Sequence, residues 1–111
     1  METDNVRRNA RALSRMLKSL ANERRLIVLA YLANEELSVG ELERRIGISQ
    51  SALSQHLARL RRDGLVKTRR SAQNIYYSLD QGPAKAMLDM LETTYGSESE
   101  PVPPSDVTKA A

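Results

Sequence analysis

The chain has 111 residues, a formal net charge of +3 at pH 7, four aromatic residues and no cysteine. This length suits one domain with one modest, mainly aliphatic core, and the lack of cysteine excludes disulfides, thiolate metal sites and thiol redox switches within the chain. No apolar run approaches the ~18 residues of a membrane helix, and residues 1–17 lack the apolar segment of a signal peptide, so we expect a soluble cytoplasmic protein without a membrane partner.

The positive charge is concentrated in the middle of the chain. Residues 38–79 carry eight Lys and Arg against three Asp and Glu, whereas residues 80–96 and 97–111 each carry one against three. A basic stretch of this kind is typical of a nucleic-acid-binding surface, although a solvated basic face without a partner is the plainer alternative.

The first predicted helix covers residues 5–18 and carries a narrow apolar seam. The seam residues recur at spacings of four, three, four and three: Val6, Ala10, Leu13, Leu17 and Leu20. Such a seam is typical of a helix that packs on a partner helix, whereas covering its own domain is the simpler alternative.

A helix-turn-helix is predicted next. A second helix runs from about Asn22, a suitable N-cap, to Ala33. Its predicted buried stripe comprises Leu26, Leu29, Ala30 and Ala33. Ser38 and Glu41 form a capping-box pattern at the start of a short third helix, and Gly47 is expected to take a left-handed conformation in the turn that follows it.

After the turn, Ser49 is predicted to cap a fourth helix, which we call the reading helix. Leu53, Leu57 and Leu60 fall on one narrow face of this helix. The opposite face carries Ser51, Ser54, Gln55, Ala58 and Arg62. No acidic residue occurs from Ser49 to Arg62, and hydroxyl, amide and guanidinium groups pair with base edges and phosphates, so we predict that this face enters a DNA major groove. An ordinary amphipathic surface helix is the alternative.

Two strand-like runs at residues 66–70 and 75–79 predict a hairpin, or wing, after the reading helix. The residues expected to alternate inward are Ile75, Tyr77 and Leu79. Those expected at the tip are Arg69, Arg70 and Gln73. Such side chains suit phosphates or a minor groove, while a solvent-exposed hairpin whose charges only prevent aggregation is the alternative.

A last helix is predicted from Pro83 to near Gly96. Its apolar stripe comprises Ala84, Met87, Leu88, Leu91 and Tyr95. Residues 97–111 contain three of the four prolines and few bulky apolar residues, which predicts a disordered acidic tail after a single domain at residues 1–96.

This order of elements, over residues 13–96, resembles the ArsR/SmtB family of bacterial winged-helix repressors, and within it the branch containing HlyU, BigR and the rhizobial repressor NolR. The segments that carry the resemblance read LANERRLIVLAYL, ELSVGEL, SQSALSQHLARLRRDGLV and TRRSAQNIYYSL. The resemblance implies a dimer formed by the first and last helices. It also implies that Gln50, Ser51, Ser54 and Gln55 contact base edges and nearby phosphates.

The sequence departs from these relatives at the sensor positions. Relatives in this branch carry a redox pair of cysteines, and the positions that align with them are Ala30 and Gly96 here. Metal-sensing members use cysteines near the third helix or His/Asp clusters on the last helix, where this chain has only Asp89 and Glu92. We therefore expect no thiol or metal sensing, no metal site and no cofactor. His56, the only histidine, is expected to pack or to contact a phosphate.

The sequence thus predicts a mainly α winged helix-turn-helix homodimer with a small β-hairpin, in the order α-α-α-α-β-β-α, and not an enzyme. The expected function is repression through a pseudo-palindromic DNA operator; the alternative is a winged-helix protein-interaction or anti-repressor module with an unknown small-molecule or metal effector. The predicted DNA-binding residues are Ser49, Gln50, Ser51, Ser54, Gln55, His56, Arg59, Arg62, Arg69, Arg70 and Gln73. The predicted dimer-interface residues are Val6, Ala10, Leu13, Leu17, Leu20, Met87, Leu88, Leu91 and Tyr95.

Overall fold

The structure, a computed structural model, describes residues 1–96, and within them it has five helices and a three-stranded antiparallel sheet. The helices are α1 (Thr3–Leu20), α2 (Glu23–Asn34), α3 (Val39–Ile46), α4 (Gln50–Arg62) and α5 (Pro83–Tyr95). The strands are β1 (Leu37–Ser38), β2 (Val66–Ser71) and β3 (Asn74–Leu79). The predicted fold class is confirmed, whereas the predicted tail at 97–111 lies outside the described residues.

Side-chain caps fix the helix starts of the helix-turn-helix where the sequence predicted them. Asn22 accepts a hydrogen bond from the Arg25 amide at 3.0 Å, at the start of α2. The Ser38 hydroxyl and the Glu41 carboxylate complete a capping box on α3, with bonds of 3.2 and 3.1 Å. Gly47 ends α3 with a φ of 78°, a left-handed conformation that glycine adopts without steric cost.

The sheet contains one strand that the sequence did not predict. β1 is only two residues long and pairs Leu37 with Tyr77, so that the strand order is β1-β3-β2. Two residues are too few to show an alternating pattern.

The prediction that Ile75 faces inward was wrong. This residue lies beside the wing turn and is 41% exposed, whereas Leu79 at the other end of β3 is buried.

The core is aliphatic, as predicted: among residues 1–96, ten of the thirteen buried apolar residues are leucines. The predicted stripe on α2 was partly wrong, because Ala30 and Ala33 are exposed. The buried face of α2 is formed by Val28, Leu29 and Leu32. These larger side chains remove more apolar surface from water than alanine does, so they determine which face of α2 is directed toward the core.

Candidate nucleic-acid interface

The two faces of α4 differ sharply in burial. Leu53, Leu57 and Leu60 are at most 1% exposed and anchor the helix in the core. On the outer side the side chains of four polar residues are exposed: Gln50, Ser51, Ser54 and Gln55. α4 is thus anchored by its leucines and exposes amides and hydroxyls on its outer face.

The N-terminal end of α4 is free of acidic side chains. Ser49 caps it by accepting a hydrogen bond from the Ala52 amide at 3.2 Å, and its hydroxyl lies 3.4 Å from that of Ser51. The partial positive charge at a helix N-terminus favours anions, so the end that carries Gln50 suits the electron-rich surface of a DNA groove.

His56 lies at the edge of the exposed face and is half-buried. Burial, together with the nearby positive charges of Arg25 and Arg24, lowers the pKa of His56 below its ordinary value. The imidazole is therefore mainly neutral at pH 7 in the free protein.

The wing ends in a two-residue turn, Ala72-Gln73, and the side chains of Arg70 and Gln73 are exposed there. Arg69 has a different environment. Its guanidinium donates to the Glu36 carboxylate at 2.6 to 3.2 Å and lies 4.9 Å from the centre of the Tyr76 ring. The hydrogen bond from Arg69 lowers the pKa of Glu36, so the pair stays ionised at neutral pH.

A groove runs between α4 and the sheet, and sequence reasoning missed one basic side chain in it. Arg61 lines this groove with Ser54, Ala58, Arg62 and Tyr77. Its position on the exposed side of α4, one residue before Arg62, was the available signal.

A second missed group lies at the C-terminal end of α4. The Asp63 side chain is 2% exposed and accepts hydrogen bonds from Arg15 Nε at 2.8 Å and Ser19 Oγ at 3.0 Å, both on α1. Two predicted DNA-binding residues also lie close to it, with Arg59 Nε at 3.8 Å and Arg62 Nε at 3.7 Å. The sequence shows an acid directly after a basic helix end, but no local pattern indicates the contacts of this acid with α1.

The apolar seam of α1 forms an open surface groove. It is lined by Val6, Ala10, Leu13, Ser14, Leu17, Lys18 and Ala21. Leu13 and Leu17 are 38% and 47% exposed, whereas Leu20 is buried in the chain's own core.

The predicted interface residues of α5 are divided between the core and the surface. Met87 and Leu88 pack partly against the core, and Leu91 is half-buried. Tyr95 is 63% exposed at the end of the helix. The surface of residues 1–96 thus leaves apolar side chains of both α1 and α5 uncovered.

The acidic side chains of α5 do not form part of a metal-binding cluster within residues 1–96. Asp89 pairs with Lys85 at 2.9 Å, one turn away. Over residues 1–96 there is no cluster of three or more His, Cys, Asp or Glu that could hold a metal ion. None of the five helices described is long and apolar enough to span a membrane.

Comparison with known proteins places this geometry among bacterial regulators. A model of bacterial regulatory proteins of the arsR family matches residues 22–68. The transcriptional activator HlyU of Vibrio cholerae is 50% identical over 95 residues, covering 86% of this chain and 88% of HlyU. The nodulation protein NolR of Rhizobium meliloti is 46% identical over 86 residues, covering 78% of this chain and 70% of NolR.

Solved structures agree with the sequence relatives. Reduced HlyU from Vibrio cholerae matches with a TM-score of 0.78 and 50% identity, over 84% of this chain and 98% of that one. The homodimeric winged helix-turn-helix DNA-binding domain of a possible ArsR-family regulator from Mycobacterium bovis matches with a TM-score of 0.72 and 25% identity, over 90% and 97%. The resemblance to the branch of HlyU and NolR is confirmed.

Proposed function

Because the chain belongs to the ArsR family, whose members are DNA-binding transcriptional regulators and not enzymes, we propose that it is a homodimeric repressor that reads a pseudo-palindromic operator with α4. Regulation of transcription through DNA follows from membership of the family. Dimerisation, operator symmetry and repression are what we propose for this chain in particular.

The observation that carries the proposal is the outer face of α4. Four exposed polar side chains without an acidic neighbour are mounted on a helix whose other face is fixed by three fully buried leucines. Amides and hydroxyls can each donate and accept, which is what discrimination between base edges requires. A protein-interaction module has no comparable need for an acid-free face bordered by Arg61 and Arg62.

The exposed apolar surface of α1 and α5 supports the dimer. A two-fold interface uses the same surface from each chain. A single interface of this kind therefore covers the exposed apolar side chains of α1 and α5 on both chains. It also sets two reading helices roughly 34 Å apart, about one turn of DNA. The homodimeric state of the Mycobacterium bovis domain supports the same arrangement.

Selection of bound sequences from a random duplex pool, followed by footprinting on the selected duplex, tests the proposal. We expect an inverted repeat with two protected half-sites about one helical turn apart. A pool that stays random after repeated rounds, with protein still properly folded, would contradict sequence-specific reading.

The alternative is net activation by displacement of another regulator from the same DNA, which the naming of HlyU as an activator favours. A reporter gene behind the selected operator distinguishes the two. Repression lowers expression when no second regulator is present. An anti-repressor raises expression only when a second regulator occupies the site.

We also propose that the regulator does not sense oxidants through thiols, because the chain contains no cysteine. Operator affinity measured with and without peroxide should change by less than tenfold, or about 1.4 kcal/mol. A larger and reductant-reversible shift would reveal a sensor outside cysteine chemistry.

A further inference from the structure

The C-terminal end of α4 is tied to α1 by a single buried carboxylate. Asp63 follows α4 directly, and its side chain is 2% exposed. It accepts hydrogen bonds at 2.8 Å from Arg15 and at 3.0 Å from Ser19. Since both donors lie on α1, the carboxylate fixes the far end of the reading helix relative to the helix proposed for dimerisation.

The same carboxylate lies within ion-pair distance of two arginines of the reading helix, of which the Arg62 side chain is 64% exposed. Arg59 Nε lies 3.8 Å away and Arg62 Nε lies 3.7 Å away. Arg59 Nε is buried and has no hydrogen-bond partner within residues 1–96. The nearby charge of Asp63 compensates this buried nitrogen, while the Arg59 side chain as a whole is 39% exposed.

The C-terminal end of α4 is an unfavourable position for the acidic side chain of Asp63. The C-terminal end of a helix carries partial negative charge, which repels a carboxylate. Burial alone would raise the pKa of Asp63, but the hydrogen bonds from Arg15 and Ser19 and the charges of the neighbouring arginines bring the pKa below its ordinary value. Asp63 is consequently a fixed negative charge at the edge of a basic surface.

We propose that Asp63 is a specificity-determining positioning residue. This inference rests on the proposed DNA-binding function of α4. The carboxylate restrains Arg59 and Arg62, so that their charges add little to sequence-independent binding of phosphates, and it aligns α4 with α1. Discrimination between sequences is then left to the amides and hydroxyls at the other end of the helix.

Asp63→Asn tests the proposal, because the amide keeps the shape and an acceptor oxygen but removes the charge. Affinities are measured for the selected operator and for a random duplex, over a range of salt concentrations. We expect binding to the random duplex to tighten and its log–log salt slope to steepen by about 0.9 for each arginine released. The operator-to-random affinity ratio should fall by at least about tenfold, a small part of a typical specificity ratio.

Asp89→Asn is the matched control. It also removes one negative charge, but from an exposed residue of α5 that pairs with Lys85. Because α4 is untouched, the affinity ratio should stay at the wild-type value. The comparison separates the role of Asp63 from an effect of net charge.

Arg15→Gln is the second variant, and it keeps the proposal testable if Asp63→Asn does not fold. The Arg15 side chain is mostly exposed, so its replacement leaves the core intact. Losing the tie to α1 should weaken operator binding more than random binding. Equal losses on the two duplexes would overturn the proposal.

Other outcomes are equally decisive. If Asp63→Asn changes both affinities by the same factor, Asp63 does not set specificity, while the wild-type preference for the operator still upholds the proposed function. A wild-type protein with no preference for any duplex overturns both the inference and the function.

Discussion

In the proposed reading of DNA by α4, base recognition depends most on Gln50 and Gln55, in the N-terminal half of the helix. Gln50→Ala and Gln55→Ala should each weaken operator binding by about 1–3 kcal/mol if they make good base contacts. Binding to random duplex should change little, because phosphate contacts carry that affinity. Fluorescence anisotropy with both duplexes measures the difference.

Gln81→Ala is the control for this pair. Gln81 is exposed in the loop before α5, and within residues 1–96 its amide donates to the Leu79 carbonyl at the end of β3. It should leave both affinities unchanged. Equal weakening of operator and random binding by the α4 variants would show that the glutamines do not read bases.

The buried charge of Asp63 predicts a particular pH dependence of stability. A carboxylate whose pKa is lowered by folding contributes stability that is fully present above its unfolded-state pKa, about 3.9, and is lost as pH falls through the folded-state pKa. The free energy of unfolding of the wild type should therefore fall more steeply below about pH 4 than that of Asp63→Asn. Denaturant unfolding at fixed protein concentration measures this, and parallel pH curves would contradict it.

At the scale of elements, the wing separates two adjacent arginines that the sequence treats alike. Arg70 is exposed near the turn, whereas Arg69 is already neutralised by Glu36. Arg70→Ala should reduce the slope of log affinity against log salt concentration by about one, the change expected for one lost phosphate contact. Arg69→Ala should reduce this slope by less.

Glu36→Gln provides the reverse change in the same wing. Losing the carboxylate frees Arg69, so binding to random duplex should tighten and its salt dependence should steepen. Filter binding at several salt concentrations measures both quantities. If Arg69→Ala proves as costly as Arg70→Ala, the Glu36 pair does not hold in the DNA complex.

The elements that could be predicted from sequence are those with local signals. Caps at Asn22, Ser38 and Ser49 act within four residues, so the starts of α2, α3 and α4 were predicted correctly. α1 has no side-chain cap, and it spans Thr3–Leu20 instead of the predicted residues 5–18. The buried face of α4 followed from its leucines. The remaining features depend on contacts distant in sequence, which no local pattern reports.

Three pairs illustrate this limit. Leu37 with Tyr77, Glu36 with Arg69, and Arg15 with Asp63 are each brought together only by the tertiary fold. The residues of the two ion pairs are 33 and 48 positions apart in the sequence, which exceeds any helical or strand period. The exposed polar face of α4 could be predicted from the sequence because it lies on one helix, whereas the ion pairs around that helix could not.

For the whole molecule, the exposed seam of α1 predicts that dimerisation can be abolished by a single charge. Leu13 is 38% exposed in the single chain, so Leu13→Glu should fold. In a two-fold interface the new charge is buried twice without a partner. The dimer dissociation constant should rise by at least about a hundredfold, or about 2.7 kcal/mol.

Ile75→Glu is the matched control, since Ile75 is similarly exposed at 41% but lies on the wing. Sedimentation velocity should find this variant dimeric and Leu13→Glu monomeric. A Leu13→Glu protein that stays dimeric would place the interface elsewhere on the molecule.

Sedimentation of the wild-type protein with the selected duplex, and with a scrambled duplex of the same composition, tests whether a dimer reads a specific sequence. We expect two chains bound to each selected duplex at a concentration where the scrambled duplex stays free. One chain for each selected duplex, or equal binding to both duplexes, would contradict a dimeric, sequence-specific regulator.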